Sequence, residues 1–123
     1  MKEKVGKVFS IRKDNQPVPG CTVSKQVHTG ESSIIYFSLA KNTDISAEIH
    51  PYHKLIIVAE GNLNVYGKDG FLKNLQVGDS ILMLTNTPIG MRTEEGSVYT
   101  EVSVRKESMM NKAIKAGEVF RLR

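Results

Sequence analysis

The sequence predicts an all-β fold, a sandwich or a barrel built from short strands. Apolar and polar residues alternate in several short runs, which is the pattern of half-buried strands. Turn-forming pairs that contain glycine or proline separate these runs at intervals of roughly 8 to 12 residues. Only residues 107–116 have the pattern of a helix, and it is a short one. The 123 residues are enough for one domain with its own core.

The first half of the chain contains four predicted strands. Ile35, Phe37 and Leu39 are spaced two residues apart, so they share one face of a strand. The run at 54–60 is apolar on both of its faces, so a strand there needs cover on each side. The four strands are predicted at 18–28, 33–39, 44–50 and 54–60.

The second half predicts four more strands. Gly61-Asn62 and Asp69-Gly70 are typical turn pairs, because glycine and asparagine tolerate a positive φ. In the last run, valines at 98, 102 and 104 alternate with polar residues, and the two sets lie on opposite faces. The strands are predicted at 63–66, 71–77, 80–85 and 97–104.

The net charge of +4 lies entirely in the last part of the chain. Basic and acidic residues balance in residues 1–104, whereas residues 105–123 are basic. The balanced part has no excess of lysine and arginine for contacts with phosphates, which argues against nucleic acid as a partner. We therefore divide the chain into a domain at 1–104 and a basic C-terminal segment at 105–123.

The C-terminal segment contains an echo of the N-terminus. Residues 6–11 are Gly-Lys-Val-Phe-Ser-Ile, and residues 117–122 are Gly-Glu-Val-Phe-Arg-Leu. A repeat at this distance would mean that a second copy of the domain begins near residue 117. A chance match explains the similarity equally well, so both interpretations stay open.

Several classes of protein are excluded by composition. Cys21 is the single cysteine, so neither a disulfide scaffold nor a site with two cysteine ligands is available within one chain. No apolar run is long enough to span a membrane, and residues 1–7 lack the apolar core of a signal peptide. The phosphate-binding and dinucleotide-binding glycine motifs are absent. We expect a cytoplasmic protein.

Residues 45–104 resemble the cupin family of small barrels. Glu60-Gly61 matches the end of the first cupin motif, which places two histidines, a glutamate and a glycine in order. Gly78-Asp79 matches the start of the second motif, and Thr87-Pro88 stands where that motif approaches its own histidine. The resemblance implies a cupin-type jelly-roll β-barrel of the RmlC-like kind, with a degenerate metal-binding motif.

The resemblance also implies four positions for metal ligands. Aligned on the motif glycines, these positions hold Glu48, His50, Lys54 and Ile89. Of the four, only His50 keeps the family's residue type. An ammonium and an aliphatic side chain replace two of the other ligands, so we favour a domain without a metal.

A metal site stays possible with a different set of ligands. Glu48 and His50 are two residues apart on a predicted strand, so they point to the same face. A transition metal needs about three such donors, and His53 is the third candidate. An unbroken strand would turn His53 to the opposite face, but a bend at Pro51 would change that. The alternative hypothesis is therefore a divalent transition metal on Glu48, His50 and His53.

Lys54 and three other side chains are candidates for a ligand pocket. We expect Lys54 to pair with Glu48 inside the barrel, because neither charge is then buried alone. Alternatively, Lys54 holds an anionic ligand or forms a Schiff base. Met83 lies on a predicted barrel strand, Arg92 is close enough in sequence to the second motif to reach a carboxylate at the barrel mouth, and Tyr36 lies in the core or at the rim.

Three functions are consistent with these residues. The first is a cupin-like binding or sensor domain without a catalytic metal, for a small polar or anionic molecule. The second is a metal-dependent cupin enzyme, and the third is the structural half of a two-cupin protein. Because the strand at 54–60 needs cover on its outer face, we expect a homodimer or a second cupin domain in the same chain.

Overall fold

A computed structural model describes residues 6–28 and 32–105. This part of the chain contains one short α-helix, α1, at Ile11–Asp14 and a single 3-10 turn at Lys68–Gly70. The rest of its regular structure is strand. The strands are β1 (Thr22–His28), β2 (Ser32–Leu39), β3 (Thr43–Glu48), β4 (Tyr52–Gly61), β5 (Leu63–Gly67), β6 (Leu72–Leu75), β7 (Ser80–Met83), β8 (Ile89–Thr93) and β9 (Ser97–Arg105).

The strands form two antiparallel sheets, which confirms the predicted all-β class. The first sheet has the order β1-β2-β9-β4-β7, and the second has the order β3-β8-β5-β6. The last strand, β9, lies between β2 and β4, so strands distant in sequence become neighbours. The inner faces of the two sheets enclose the core, as in a double-sheet jelly roll.

The core is formed by side chains from the inner faces of both sheets. Tyr99 is fully buried and its ring stacks on that of Phe37, with centroids 5.1 Å apart. Each large apolar side chain buried in this way contributes roughly 1.5 to 3 kcal/mol relative to an exposed one. The other large buried members of this cluster are Leu39, Ile56, Val58, Leu63, Val65, Leu75, Met83, Ile89 and Met91.

Strand β4 is apolar on both faces, as its sequence predicts. Ile56 and Val58 are buried in the core, whereas Leu55 and Ile57 lie half-buried on the outer face of the first sheet. Leu55 is in register with Val102 on β9 and with Leu82 on β7. The outer face therefore carries a row of apolar side chains across three strands.

Strand β8 was not among the predicted strands. Its sequence includes Gly90, which weakens the signal for a strand. The structure explains this glycine, because a Cβ at Gly90 would lie 2.5 Å from the Tyr66 ring. The prediction also ran two residues too far in β3, which ends at Glu48 and leaves Ile49 exposed before Pro51.

The short helix α1 was not predicted either. Its N-cap is Ser10, whose hydroxyl accepts a hydrogen bond from the backbone N–H of Lys13. Asn15 follows the helix and is buried, and its side-chain amide donates to the Val23 carbonyl and the Ser38 hydroxyl. These bonds attach the N-terminal segment to β1 and β2.

Some sequence predictions fall outside the described residues. The predicted helix at 107–116 and the second half of the echo at 117–122 are among them. No helix in the described ranges is long or apolar enough to cross a membrane.

Candidate functional site

An ion pair lies inside the barrel, between Lys54 on β4 and Glu101 on β9. The Lys54 Nζ is 3.4 Å from the Glu101 Oε1, and the two side chains are 11% and 5% exposed. Glu101 is in register with Ile56, so its side chain shares the inner face of the sheet with Ile56 and Lys54. The predicted pairing of Lys54 with Glu48 is wrong, because β9 brings Glu101 next to β4.

The burial of this pair makes each charge depend on the other. Removal of an ion from water costs several kcal/mol, and the attraction of a close partner offsets that cost. A side chain that replaced only one of the two would leave the other charge buried without compensation. The pair is therefore a structural constraint on the barrel interior as well as a candidate for chemistry.

The hydroxyl of Tyr99 lies in the same interior. It is buried and has no hydrogen-bond partner among the described residues. Burial raises the pKa of Tyr99 well above its ordinary value, and the negative charge of Glu101 raises it further. The phenol is therefore neutral throughout the physiological range.

Glu48 and His50 form a second, more exposed contact at the rim of the barrel. The Glu48 Oε2 is 3.5 Å from the His50 Nε2, and the side chains are 59% and 36% exposed respectively. The backbone carbonyl of His50 accepts hydrogen bonds from the Asn86 N–H and the Thr85 hydroxyl. These bonds hold the rim against the loop that joins β7 and β8.

His53 does not join this rim contact. Its Nδ1 accepts a hydrogen bond from the backbone N–H of Thr85, at 3.1 Å. His53 is also adjacent to Lys54, so the alternation of β4 places it on the outer face. Glu48, His50 and His53 are therefore not gathered around one point. Residues 6–28 and 32–105 contain no group of three histidine, cysteine or acidic side chains that could hold a metal ion.

Met83 lies between two cavities of very different size. The space enclosed by His50, Lys54, Met83 and their neighbours is about 10 Å³, which is close to the room needed for one water molecule. A larger cavity of about 430 Å³, which we name the mouth pocket, is lined by Met83, Thr87, Asn86, Pro88, Phe71, Lys68, Asp69 and Gly67. Met83 and Thr87 line both cavities.

Tyr36 and Arg92 lie outside both cavities, which corrects two predicted pocket residues. The alternation of β2 turns Phe37 to the core and Tyr36 to the outer face, where the Tyr36 ring lies 5.8 Å from the Phe9 ring. The alternation of β8 likewise buries Met91 and exposes Arg92. Arg92 does reach a carboxylate, but it is the protein's own Asp44, at 3.4 Å.

Glu101 and Tyr99 lie in the interior but were not among the predicted site residues. The sequence does place Glu101 two residues after Tyr99 in an alternating strand, so the two side chains lie on the same face. This signal became informative only with the sheet order, since the sequence does not show that β9 is the neighbour of β4.

Comparisons with known proteins rest on structure alone. No family model matches the sequence, and no curated protein matches it. A cupin superfamily protein from Desulfitobacterium hafniense superimposes with a TM-score of 0.77 at 11% identity, over 86% of this chain and 97% of that one. An RmlC-like cupin from Shewanella frigidimarina gives a TM-score of 0.66 at 20% identity, over 84% and 96%. The chain has a cupin fold.

One further neighbour is a conserved protein of unknown function from Streptococcus pyogenes. It superimposes on this cupin fold with a TM-score of 0.76 at 19% identity, over 85% of this chain and 92% of that one. The expected jelly-roll barrel of the RmlC-like kind is therefore confirmed. At these identities the likeness extends to the fold and not to a ligand or an activity.

The side chains at the four implied ligand positions do not fit a divalent metal. Glu48 and His50 offer one oxygen and one nitrogen donor at the rim. The Lys54 ammonium has no lone pair to donate, and it is paired with Glu101. Ile89 is buried and has no donor atom. Two donors fall short of the three or four that such an ion requires.

Proposed function

We propose that this cupin domain is a metal-independent binding module for a small molecule that carries an anionic group. Lys54 is the residue that would recognise the anion. The observation that carries the proposal is the buried Lys54–Glu101 pair at a position where the resemblance implies a metal ligand. An ammonium there attracts the same anionic groups that a metal ion would attract, but without redox or Lewis-acid chemistry.

The mouth pocket would hold the rest of the ligand. Its volume of about 430 Å³ lies within the range of small-molecule sites, roughly 300 to 1,000 Å³. Its charged lining residues are Lys68 and Asp69, so Lys54 on the far side of Met83 is the cation that would give the site its preference for an anion. Met83 separates the mouth pocket from Lys54, and a methionine side chain adapts its shape easily. Rotation of Met83 would let a carboxylate approach the Lys54 ammonium, which has three donors and uses one on Glu101.

Binding of short carboxylates tests this proposal. Acetate, succinate and citrate are the probes, and ligand-observed NMR measures their affinity. The doubly substituted variant Lys54→Met/Glu101→Met removes both charges and so avoids an uncompensated one. We expect it to lose binding, whereas Lys73→Met, an exposed substitution on β6, keeps it. Equal binding to the wild type and the double variant would contradict the proposal.

A metal-dependent enzyme is the second candidate. One observation favours it, the approach of Glu48 to His50 at the rim. The third donor, His53, would have to leave its bond to the Thr85 N–H and cross to the other side of β4. For this reason we rank the enzyme below the binding module.

We also propose that the outer face of the first sheet is covered by a partner barrel. The apolar row of Leu55, Val102 and Leu82 continues to Ile34 on β2. A second copy of the chain is the proposed partner, and a second cupin domain in a longer chain is the alternative. The cytoplasm stays the proposed compartment, because Cys21 is exposed with a free thiol.

A further inference from the structure

A third cavity lies at the opposite end of the barrel from the mouth pocket. We name it the distal pocket, and its volume is about 520 Å³. Strand β4 begins at Tyr52 beside Lys54 and ends at Gly61 in the lining of the distal pocket. At about 3.3 Å per residue, the length of this strand separates the two ends by roughly 30 Å. A ligand in one pocket therefore cannot contact the other.

The walls of the distal pocket are mostly apolar and in part backbone. Pro17 and Pro19 precede β1 on one side, while Ala40 and Val98 line another. At Gly61, which has a positive φ of 68°, a Cβ would lie 2.0 Å from the Gly96 carbonyl oxygen. This wall can therefore form only with a glycine at position 61. The apolar lining suits the hydrocarbon part of a ligand.

One buried polar group in this lining has no partner. Ser97 is 3% exposed, and its hydroxyl makes no hydrogen bond within the described residues. A buried hydroxyl left unpaired costs roughly 1 to 3 kcal/mol. A ligand with an N–H or O–H donor would supply the missing bond, since the Ser97 oxygen can accept it.

A carboxylate in the lining favours a cation. Lys41, Glu60 and Glu95 are the charged residues, and Glu95 is the one that we assign to the ligand. The Glu95 Oε2 accepts a hydrogen bond of 2.7 Å from the Asn62 side-chain amide, which orients the carboxylate. A carboxylate oriented in this way can pair with an ammonium group.

We infer that the distal pocket binds a small organic cation with an apolar body, of which a primary alkylamine is the simplest form. The hydrocarbon chain lies against Pro17 and Pro19, and the ammonium donates to Glu95 and to the Ser97 hydroxyl. This site is separate from the mouth pocket and prefers the opposite charge. It therefore does not depend on the proposed function of Lys54.

Three six-carbon probes test the charge preference. n-Hexylamine, hexanol and hexanoate have the same chain length and differ in charge, and protein-observed NMR measures their affinities and locates them. We expect n-hexylamine to bind about threefold to fivefold more tightly than hexanol, and hexanoate to bind most weakly. The shifted signals should include Ala40 and Gly61. Equal binding of the three probes, or shifts centred on Met83, would overturn the inference.

Two neighbouring glutamates provide a matched pair of variants. Glu95→Gln should weaken n-hexylamine binding about threefold to fivefold, whereas Glu94→Gln, one residue away and outside the lining, should leave it unchanged. Lys41→Met should strengthen it. Ser97→Val should weaken binding of n-hexylamine and hexanol, which have a donor, and leave that of hexanoate unchanged, and the exposed Glu95 and Lys41 variants decide the outcome if the Ser97 variant does not fold. Unchanged amine binding in Glu95→Gln would contradict the assigned role of its carboxylate.

Discussion

The inner face of the five-stranded sheet carries Lys54 and Glu101, whereas its outer face carries Leu55, Val102 and Leu82 in one row. Apolar side chains such as Ile56, Val58 and Tyr99 make up the rest of the inner face, as in most antiparallel sheets, so the exceptions are one buried ion pair inside and one apolar row outside. Burial of polar groups in a barrel interior costs desolvation free energy. An exposed apolar outer face favours association with a partner. The comparison supports the proposals that the inner face binds a ligand and that the outer face associates with a partner barrel.

Removal of one inner charge should produce the largest effect on stability. Lys54→Met leaves the Glu101 carboxylate buried and unpaired, so we expect the free energy of unfolding to fall by about 3 kcal/mol or more. Urea denaturation followed by circular dichroism measures this change. The exposed Lys73→Met substitution on β6 is the control, with an expected change within about 0.5 kcal/mol.

The second inner charge provides a rescue. Lys54→Met/Glu101→Met removes both charges and fills the space with apolar side chains, so most of the lost stability should return. A double variant as unstable as the sum of the two single variants would show that the two charges are not coupled. In that case Lys54 and Glu101 would not act as an ion pair on the inner face.

A charge on the outer face should affect association. We expect Leu55→Asp to convert the proposed dimer to a monomer of 13.7 kDa at micromolar concentration, because a carboxylate would be buried within the apolar row. Light scattering coupled to size exclusion measures the mass. Leu72→Asp, at an exposed position on β6 in the other sheet, is the matched control and should leave the dimer intact. A wild-type chain that is monomeric under these conditions would contradict the proposed role of the outer face.

The smallest expected effect concerns the Tyr99 hydroxyl on the inner face at high pH. The pKa of Tyr99 is raised in the folded state, so its stabilising contribution is complete below the ordinary value of 10.0 and is lost as the pH rises above it. Tyr99→Phe has no proton to lose, so its stability should decline less steeply above pH 10. Denaturation at a series of pH values measures both slopes. Identical slopes would mean that the hydroxyl reaches solvent.

The sequence predicted the class of the fold and most of its strands, because alternation at residues such as Ile35, Phe37 and Leu39 is a local property. It did not predict β8, since Gly90 is explained by contact with Tyr66 from a neighbouring strand. The sequence did not predict the partner of Lys54 for a similar reason. Glu101 is 47 residues away along the chain, and only the sheet order brings it diagonally across from Lys54 on the neighbouring strand. Glu48 and His50 were predicted to lie together because they are only two residues apart in the sequence, even though β3 ends at Glu48.

The metal content of the purified chain tests the central claim most directly. The protein is produced without a histidine tag in medium that contains iron, manganese, zinc and nickel, and its metals are measured by plasma mass spectrometry. With the Lys54–Glu101 pair inside the barrel, we expect far less than one metal ion per chain and the same melting temperature with and without a chelator. One metal ion per chain that disappears in the His50→Ala variant would contradict the account.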